Sequence, residues 1–345
     1  VIADSSSNPP PSGHTLFDRK QTVRVDDPGD LIATIPYLIG YFPHDALVIN
    51  FVRDGVIIKT LCCNSISDVA AEPASTGELL DTLIGHAEGE AILILVATQH
   101  QHHDDAPPHA ALINAIARRF AELGVDVAAF WTTGIAEGAR WGNYHDPSRT
   151  GTVADPACSL AAAATAIQGQ RTFASRAELV ATLEPAPQEV LHRCEMLLFG
   201  FAAAGRPAAS DAYRLVADHV TRAGLRTEAL TDTEVAQLVY VLGDLEVHSA
   251  CLGFAVTDQA AAAERLWTEL TRQSPVPERA QPAVLLAVSA YLRGDGVLSS
   301  VALDHAQAAA PDHRLARLIR QALDTGLPPE RLRSLVEQAL ATDPE

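Results

Sequence analysis

The sequence predicts an α/β N-terminal layered domain followed by an all-α C-terminal region of helical hairpins, one of them on tetratricopeptide-like spacing. Three observations carry this. β-rich runs alternate with helical periodicity in the first part of the chain, which is the pattern of an α/β layer structure. From Ala157 onward the β-like runs disappear. The 345 residues also exceed the ~250–300 at which a single core stops growing, so two structural units are expected. The expected boundaries are a flexible tail over 1–20, an α/β domain over 21–156 and a helical domain over 157–345.

The first twenty residues are rich in Ser, Pro and Gly and have little to bury. Structure is expected to begin near TVRV, followed by a helix start in DDPGDLIATIPYLIGYFP. There Asp27 suits the N-cap, Pro28 the first helical position, and Asp30 places a carboxylate against the positive end of the helix dipole. Pro36 lacks an amide hydrogen and should kink or break this helix. ALVINFV and VIIKTLCC flank Asp54-Gly55, the strongest hairpin signal in the chain. A helix near 75–88, a strand over 91–97, a helix over 108–123 and a strand over 125–133 follow, with a short strand near 140–144 expected to pair back across GIAEGA.

Beyond Ala157, apolar residues recur at helical spacing over 157–169, 176–183, 187–204, 207–223, 231–252, 258–273, 278–293, 296–309, 312–325 and 328–341. Gly, Pro or a capping Ser, Thr or Asp bounds each stretch. Ala283, Leu286, Ala287, Ala290, Ser299, Leu303, Ala306 and Pro311 fall at the offsets of a tetratricopeptide hairpin, where small residues let two helices approach. A repeat array would add a concave face for a partner; a generic helical bundle accommodates the same residues.

The net charge of −18 disfavours nucleic acid and anionic lipid as partners, because both attract basic surfaces. No apolar run reaches the ~20 residues that span a bilayer, and VIADSSSNPPPSGH lacks the basic and apolar segments of a secretory signal, so no membrane association and a cytoplasmic location are expected. Cys62, Cys63, Cys158, Cys194 and Cys251 include no Cys-x-x-Cys pair, so reduced thiols are expected in place of a disulfide framework or a thiolate zinc site. No Walker loop and no Gly-x-Ser-x-Gly elbow is present, and no cofactor is expected.

Two stretches have the residue types that chemistry uses. QHQHHDDAPPHAAL, Gln99 to Leu112, follows a strand and precedes a helix, where α/β sheets hold ligands. His100, His102, His103 and Asp104 are its candidate metal ligands, with His109 as a further donor for zinc or iron. A solvated polar loop explains the same composition. The His-Asp pairs at 44–45, 103–104 and 145–146 lie beside prolines in expected turns, not on helices as in metal-dependent phosphohydrolases of the HD type. ARWGNYHDPSRTG is the second stretch. Its Arg140, Trp141, Tyr144 and Arg149 offer flat faces and guanidinium donors that could stack a ring or grip a carboxylate or phosphate. The alternative is that the aromatics cap the sheet edge and the arginines pair with the abundant carboxylates.

DDPGDLIATIPYLIGYFPHDALVINFV, RWGNY, FASRAELVATLEP and AYLRGDGVLSSVALDHAQAAAPDHRLARLIRQALDTGLPP, in that order, resemble the actinobacterial domain of unknown function 4192 family over about Val23 to Pro329. The resemblance implies a cytosolic protein with an α/β front half and a helical rear half, and it carries over no catalytic residue. Members often read Pro-x-Asp-Ser where this chain has Pro43-His44-Asp45-Ala46, so a serine nucleophile at that point is excluded. The cysteines many members place after the Trp/Tyr motif are also missing. The shared Asp45, Arg140, Trp141, Tyr144, Arg176 and Glu178 remain, and Ser175 with Glu178 has capping-box spacing. The expected function is a non-enzymatic interaction or regulatory protein that meets a protein partner through its helical half, with homo-oligomers compatible. The alternative is a small-molecule binder or an enzyme, such as a metal-dependent hydrolase, built on the strand-end loops with Asp45, Arg140, Trp141, Tyr144 and Arg149 as ligand-binding residues.

Overall fold

The computed structural model describes residues 27–86, 89–96, 107–167 and 169–342; the expected tail and the TVRV segment lie outside them. Helix α1 (Pro28–Ile39) starts as its sequence predicts, with the Asp27 carboxylate accepting the Gly29 N–H at 2.7 Å. Pro36 does not break it. Its missing hydrogen bond falls only one turn from the end, and the helix continues to Ile39, where Gly40 at φ 84 donates to the Pro36 carbonyl.

Strands β1 (Ala46–Arg53) and β2 (Val56–Asn64) form the expected hairpin. Asp54 and Gly55 both have positive φ, 53° and 73°, as the favoured two-residue turn requires. Helices α2 (Ile66–Ala71) and α3 (Pro73–Ile84) lead to β3 (Glu90–Val96), then α4 (Ala110–Glu122), β4 (Val127–Thr132), β5 (Arg140–Asn143) and β6 (Thr150–Thr152). The sheet order is β2-β1-β3-β4-β5-β6, and only β3 and β4, joined through α4, run parallel.

Alternation along the strands sends side chains into two cores. Leu47, Ile49 and Phe51 of β1 and Leu93 and Leu95 of β3 pack with Ile113, Ile116 and Phe120 of α4. On the opposite face Val48, Ile94, Val96, Phe130 and Trp141 join α1 and run without a break into the helical half. At the far end of the sheet, Trp131 lies over Gly142 and Trp141 over Gly151. A Cβ on either glycine would come within 2.8 Å of the indole ring, so glycine is what lets each tryptophan lie flat on the next strand.

The rear half contains α5 (Leu160–Ile167), α6 (Arg176–Ala181), α7 (Gln188–Ala204), α8 (Ala209–Ala223), α9 (Asp232–Leu242), α10 (Leu245–Cys251), α11 (Ala260–Gln273), α12 (Ala280–Leu292), α13 (Gly296–Ala309), α14 (Arg314–Asp324) and α15 (Pro329–Thr342). The single helix expected over 231–252 is two. Gly243 ends the first, and Asp244 starts the second by accepting the amides of Glu246 and Val247, with a bend of 102° between them. Helix α12 is apolar all round and enclosed by α9, α11, α13, α14 and α15, as such a helix must be. The tetratricopeptide offsets fall on α12 and α13, where Ala283, Ala287, Ala290, Ser299 and Ala306 are buried between the helices. That is one hairpin within a bundle, and a repeat array does not follow from it. Asp295 caps α13 through the Leu298 amide at 2.9 Å, so GDGVLS is an interhelical turn. Among the described residues, no single helix is long and apolar enough to cross a membrane.

Candidate functional site

The chemistry-bearing groups gather where β3 and β4 end. Ala46, the first residue of β1, pairs with Val96, the last of β3, so Asp45 sits at the exit of β3, and α4 begins nearby at His109. The Asp45 carboxylate accepts the Ser67 hydroxyl at 2.5 Å and its amide at 3.3 Å, while the Asp45 carbonyl accepts the Ile66 amide. In this way Asp45 starts α2 from outside it, supplying a carboxylate to the positive end of a short helix. From the other side, His109 brings Nε2 to 3.4 Å from the same hydroxyl. Carboxylate, hydroxyl and imidazole therefore form a line at the strand ends.

Backbone conformation singles out this corner. Asp45, Ser65 and His109 have φ of 46°, 55° and 49°; Asp54, in the hairpin turn, is the remaining non-glycine residue described with positive φ. Left-handed backbone at such residues costs of order 1–3 kcal/mol each and persists only where surrounding contacts hold it. Tyr144 adds one of those contacts, donating its hydroxyl to the Pro108 carbonyl at 2.6 Å from a partly buried position against the core, where burial raises its pKa.

Of the four residues expected to form a ligand surface on ARWGNYHDPSRTG, the structure brings no such surface together. Trp141 and Tyr144 are three positions apart, so they fall on opposite faces of the sheet. Trp141 is only 7% exposed and meets Phe130 edge-on at 5.9 Å. No flat face of it is left for a ring. Arg140 and Arg149 are exposed, but one lies where β5 begins and the other beyond its end, just before β6. The HDPSR turn is closed on itself, with the Asn143 side chain accepting the amides of His145 and Asp146, and the Asp146 carboxylate accepting the amide and the hydroxyl of Ser148. The packed hairpin has the form of the alternative, in which the aromatics cover the sheet.

The candidate metal ligands His100, His102, His103 and Asp104 lie outside the described residues. His109 lies within them and is engaged with Ser67. Among the described residues, no group of three or more His, Cys, Asp or Glu side chains is placed to hold a metal ion.

Two distant motifs meet beside this corner. Phe173 exchanges backbone hydrogen bonds with Gly40 and Phe42, which docks FASRAE on GYFPHDA. Tyr41 then donates to the Asn64 side chain at 3.0 Å and to the Cys62 sulfur at 3.3 Å, with the charge of Arg176 close by. Ser175 accepts the Glu178 amide as a cap, but the Glu178 carboxylate turns to the Ala174 amide and Arg171 instead of closing the box on Ser175. Burial pushes Cys62 up to about 11, Cys63 to about 12, Cys194 to about 11 and Cys251 to about 12, and the Asp155 hydrogen bond raises exposed Cys158. All five are thiols at neutral pH, and none is activated as a nucleophile.

Sequence reasoning reached Asp45 but not Ser67 or His109 as its partners. Nothing in SISDVAA marks a six-residue helix capped from a residue 22 positions earlier. It also left unremarked the run MLLFGFAAA in α7, which is apolar on every side.

A family model described as Domain of unknown function (DUF4192) matches residues 28–330. No curated protein and no solved structure matches the chain.

Proposed function

We propose that this chain, which belongs to the DUF4192 family, is an interaction or regulatory protein that binds a protein partner through its helical half. One observation supports the reading. From Met196 to Ala204, α7 has no charged residue. Its inner side packs Leu197, Leu198 and Phe201, the last stacked on Tyr240, while Met196 and Phe199 on the outer side are 57% and 65% exposed. Ala203 continues that outer stripe, also exposed. A helix apolar all round is ordinarily covered, and an exposed stripe of this kind marks a contact surface. The excess of acidic groups on the chain favours a partner whose rim is basic.

The test is Met196→Glu combined with Phe199→Glu. These positions are exposed, so the melting temperature should stay within about 1 °C of wild type. Affinity purification from the native host should return one stoichiometric partner on the wild-type chain, lost from the double variant. A partner that binds both proteins equally, or self-association that survives the two charges, removes α7 as the surface.

The line Asp45–Ser67–His109 favours a second reading, a small-molecule binder or hydrolase at the strand ends. Carboxylate, hydroxyl and imidazole on a conformationally costly corner are the groups such a site uses. A metabolite that occupies it should raise the melting temperature of wild type by several degrees and that of His109→Ala by little. Equal shifts in both proteins would place the ligand elsewhere.

A further inference from the structure

Strand β6 is the last in the sheet order, and among the described residues no further strand pairs with its outer side. Its backbone alternates between two directions. The Arg149 carbonyl accepts the Asn143 amide, and Val153 donates to Ala139 and accepts from Gly138, so residues 149, 151 and 153 turn toward β5. Thr150 and Thr152 therefore direct their amides and carbonyls outward. Both threonines are exposed, and their side chains lie on the face opposite Trp141, whose ring covers Gly151. An edge of this kind is a template for another strand.

The chain reaches this edge on its way into α1. Gly29 packs so closely on the Thr152 carbonyl oxygen that a Cβ there would overlap it, which fixes the entry to the helix beside the outer side of β6. Asp27, just before, has extended backbone, φ −123 and ψ 124. Ahead of it, outside the described residues, stand Thr22, Val23, Arg24 and Val25. This TVRV segment has the composition and alternation of a strand, with Val23 and Val25 on one side and Thr22 and Arg24 on the other. The edge has the same division. Trp141 and Val153 make its inner face apolar, while Thr150 and Thr152 make its outer face polar.

We propose that the TVRV segment, residues 22–25, docks on the outer edge of β6 as a further strand of the sheet. Because the chain enters α1 at the Thr152 end, the segment runs parallel to β6. The position of Gly29 and the placing of both valines on the Trp141 face set the register, with Arg24 opposite Thr150. The Val25 amide then donates to the Thr150 carbonyl, and the Thr150 and Thr152 amides donate to the Val23 and Val25 carbonyls. The Arg24 amide points away from the ladder. Occupied in this way, the edge is closed to other chains, and this surface is separate from both the α7 stripe and the Asp45 corner.

Amide hydrogen exchange of the full chain, resolved by residue with NMR, tests this. In wild type the Thr150 and Thr152 amides should exchange at least about tenfold more slowly than in an unstructured chain. Val25→Pro removes the donor to Thr150 and should return both amides to within about threefold of the unstructured rate. Gly151, turned toward β5, should stay protected in that variant, which reports that the β5–β6 hairpin is intact. Arg24→Pro is the matched control, because an edge strand tolerates proline where the amide faces away from the ladder, and Thr150 and Thr152 should remain protected in it. Unstructured exchange of the two threonines in wild type overturns the proposal. So does loss of protection in both proline variants, which would exclude this register. Equal protection in all three proteins overturns it as well, and protection that then falls on dilution would give the edge to a second copy of the chain.

Discussion

Trp267→Ala should reduce unfolding free energy by about 3–5 kcal/mol, one of the largest losses available to a single substitution here. Trp267 is fully buried and belongs to the stripe Ala263, Leu266, Trp267, Leu270, Thr271, the i, i+3, i+4, i+7, i+8 pattern by which α11 faces the core. Its ring meets Phe254, and α12, buried on every side, lies behind it. Because α12 and its neighbours enclose the site, the surroundings have little freedom to collapse into the cavity, which puts the cost toward the upper end of the range. Urea unfolding followed by circular dichroism measures it, with Leu335→Ala as a comparison. Leu335 is 55% exposed, and its removal should change stability by no more than about 0.5 kcal/mol. A loss below about 1 kcal/mol for Trp267→Ala would mean that α11 and α12 do not enclose it as described.

Much of the architecture is legible in local signals because local physics sets those elements. Asp27-Pro28 begins a helix and Asp54-Gly55 closes a hairpin wherever such residues adjoin apolar runs. The elements that escape reading depend on distant parts of the chain. Strand β6 is Thr-Gly-Thr, with no apolar pattern of its own; it is a strand because β5 offers it a partner and Trp141 covers Gly151. Helix α2 exists beside Asp45, which supplies its first acceptors. The break at Gly243 is hidden because apolar spacing continues through it, and only the Asp244 side chain turning back to cap the next helix reveals a new start.

The candidate site divides in the same way. Asp45 stands out in sequence, but its alignment with Ser67 and His109 is created by the sheet, which brings the ends of β2 and β3 and the start of α4 to one corner. By contrast, the separation of Trp141 from Tyr144 was legible. Three positions along a strand reverse the face, and the parity of their numbers excludes a common surface once 140–144 is read as a strand. Clustering of residue types along the chain is thus a poor guide to convergence, and strand parity is a better one.

Acidification should destabilise the rear half through His248 and His313, and the sign follows from their contacts. His248 is buried at the start of α12, with Nε2 at 3.1 Å from the Gln281 carbonyl; burial first, and then the charge of His313, bring its pKa down to about 4. His313 uses Nδ1 to accept the Ala316 amide and cap α14, so its proton resides on Nε2, directed at the Gln281 side chain at 3.3 Å. Burial lowers its pKa as well. For both groups the unfolded chain takes up protons more readily than the folded one. Their contribution is therefore complete above pH ~6.5 and is lost as pH falls toward 4, at roughly 3 kcal/mol for His248 from a shift of about 2.5 units. Protonated His313 would also lose its acceptor and put a positive charge at the positive end of α14, with the two rings 6.1 Å apart. His248→Gln keeps an N–H for the Gln281 carbonyl but cannot take up a proton. Urea midpoints measured from pH 7.5 to 4 should therefore fall less steeply for this variant than for wild type, the two curves converging by about 3 kcal/mol at the acid end after any constant offset. Curves that stay parallel across that range would mean that His248 titrates at the same pH folded and unfolded, and that the start of α12 does not hold it dry.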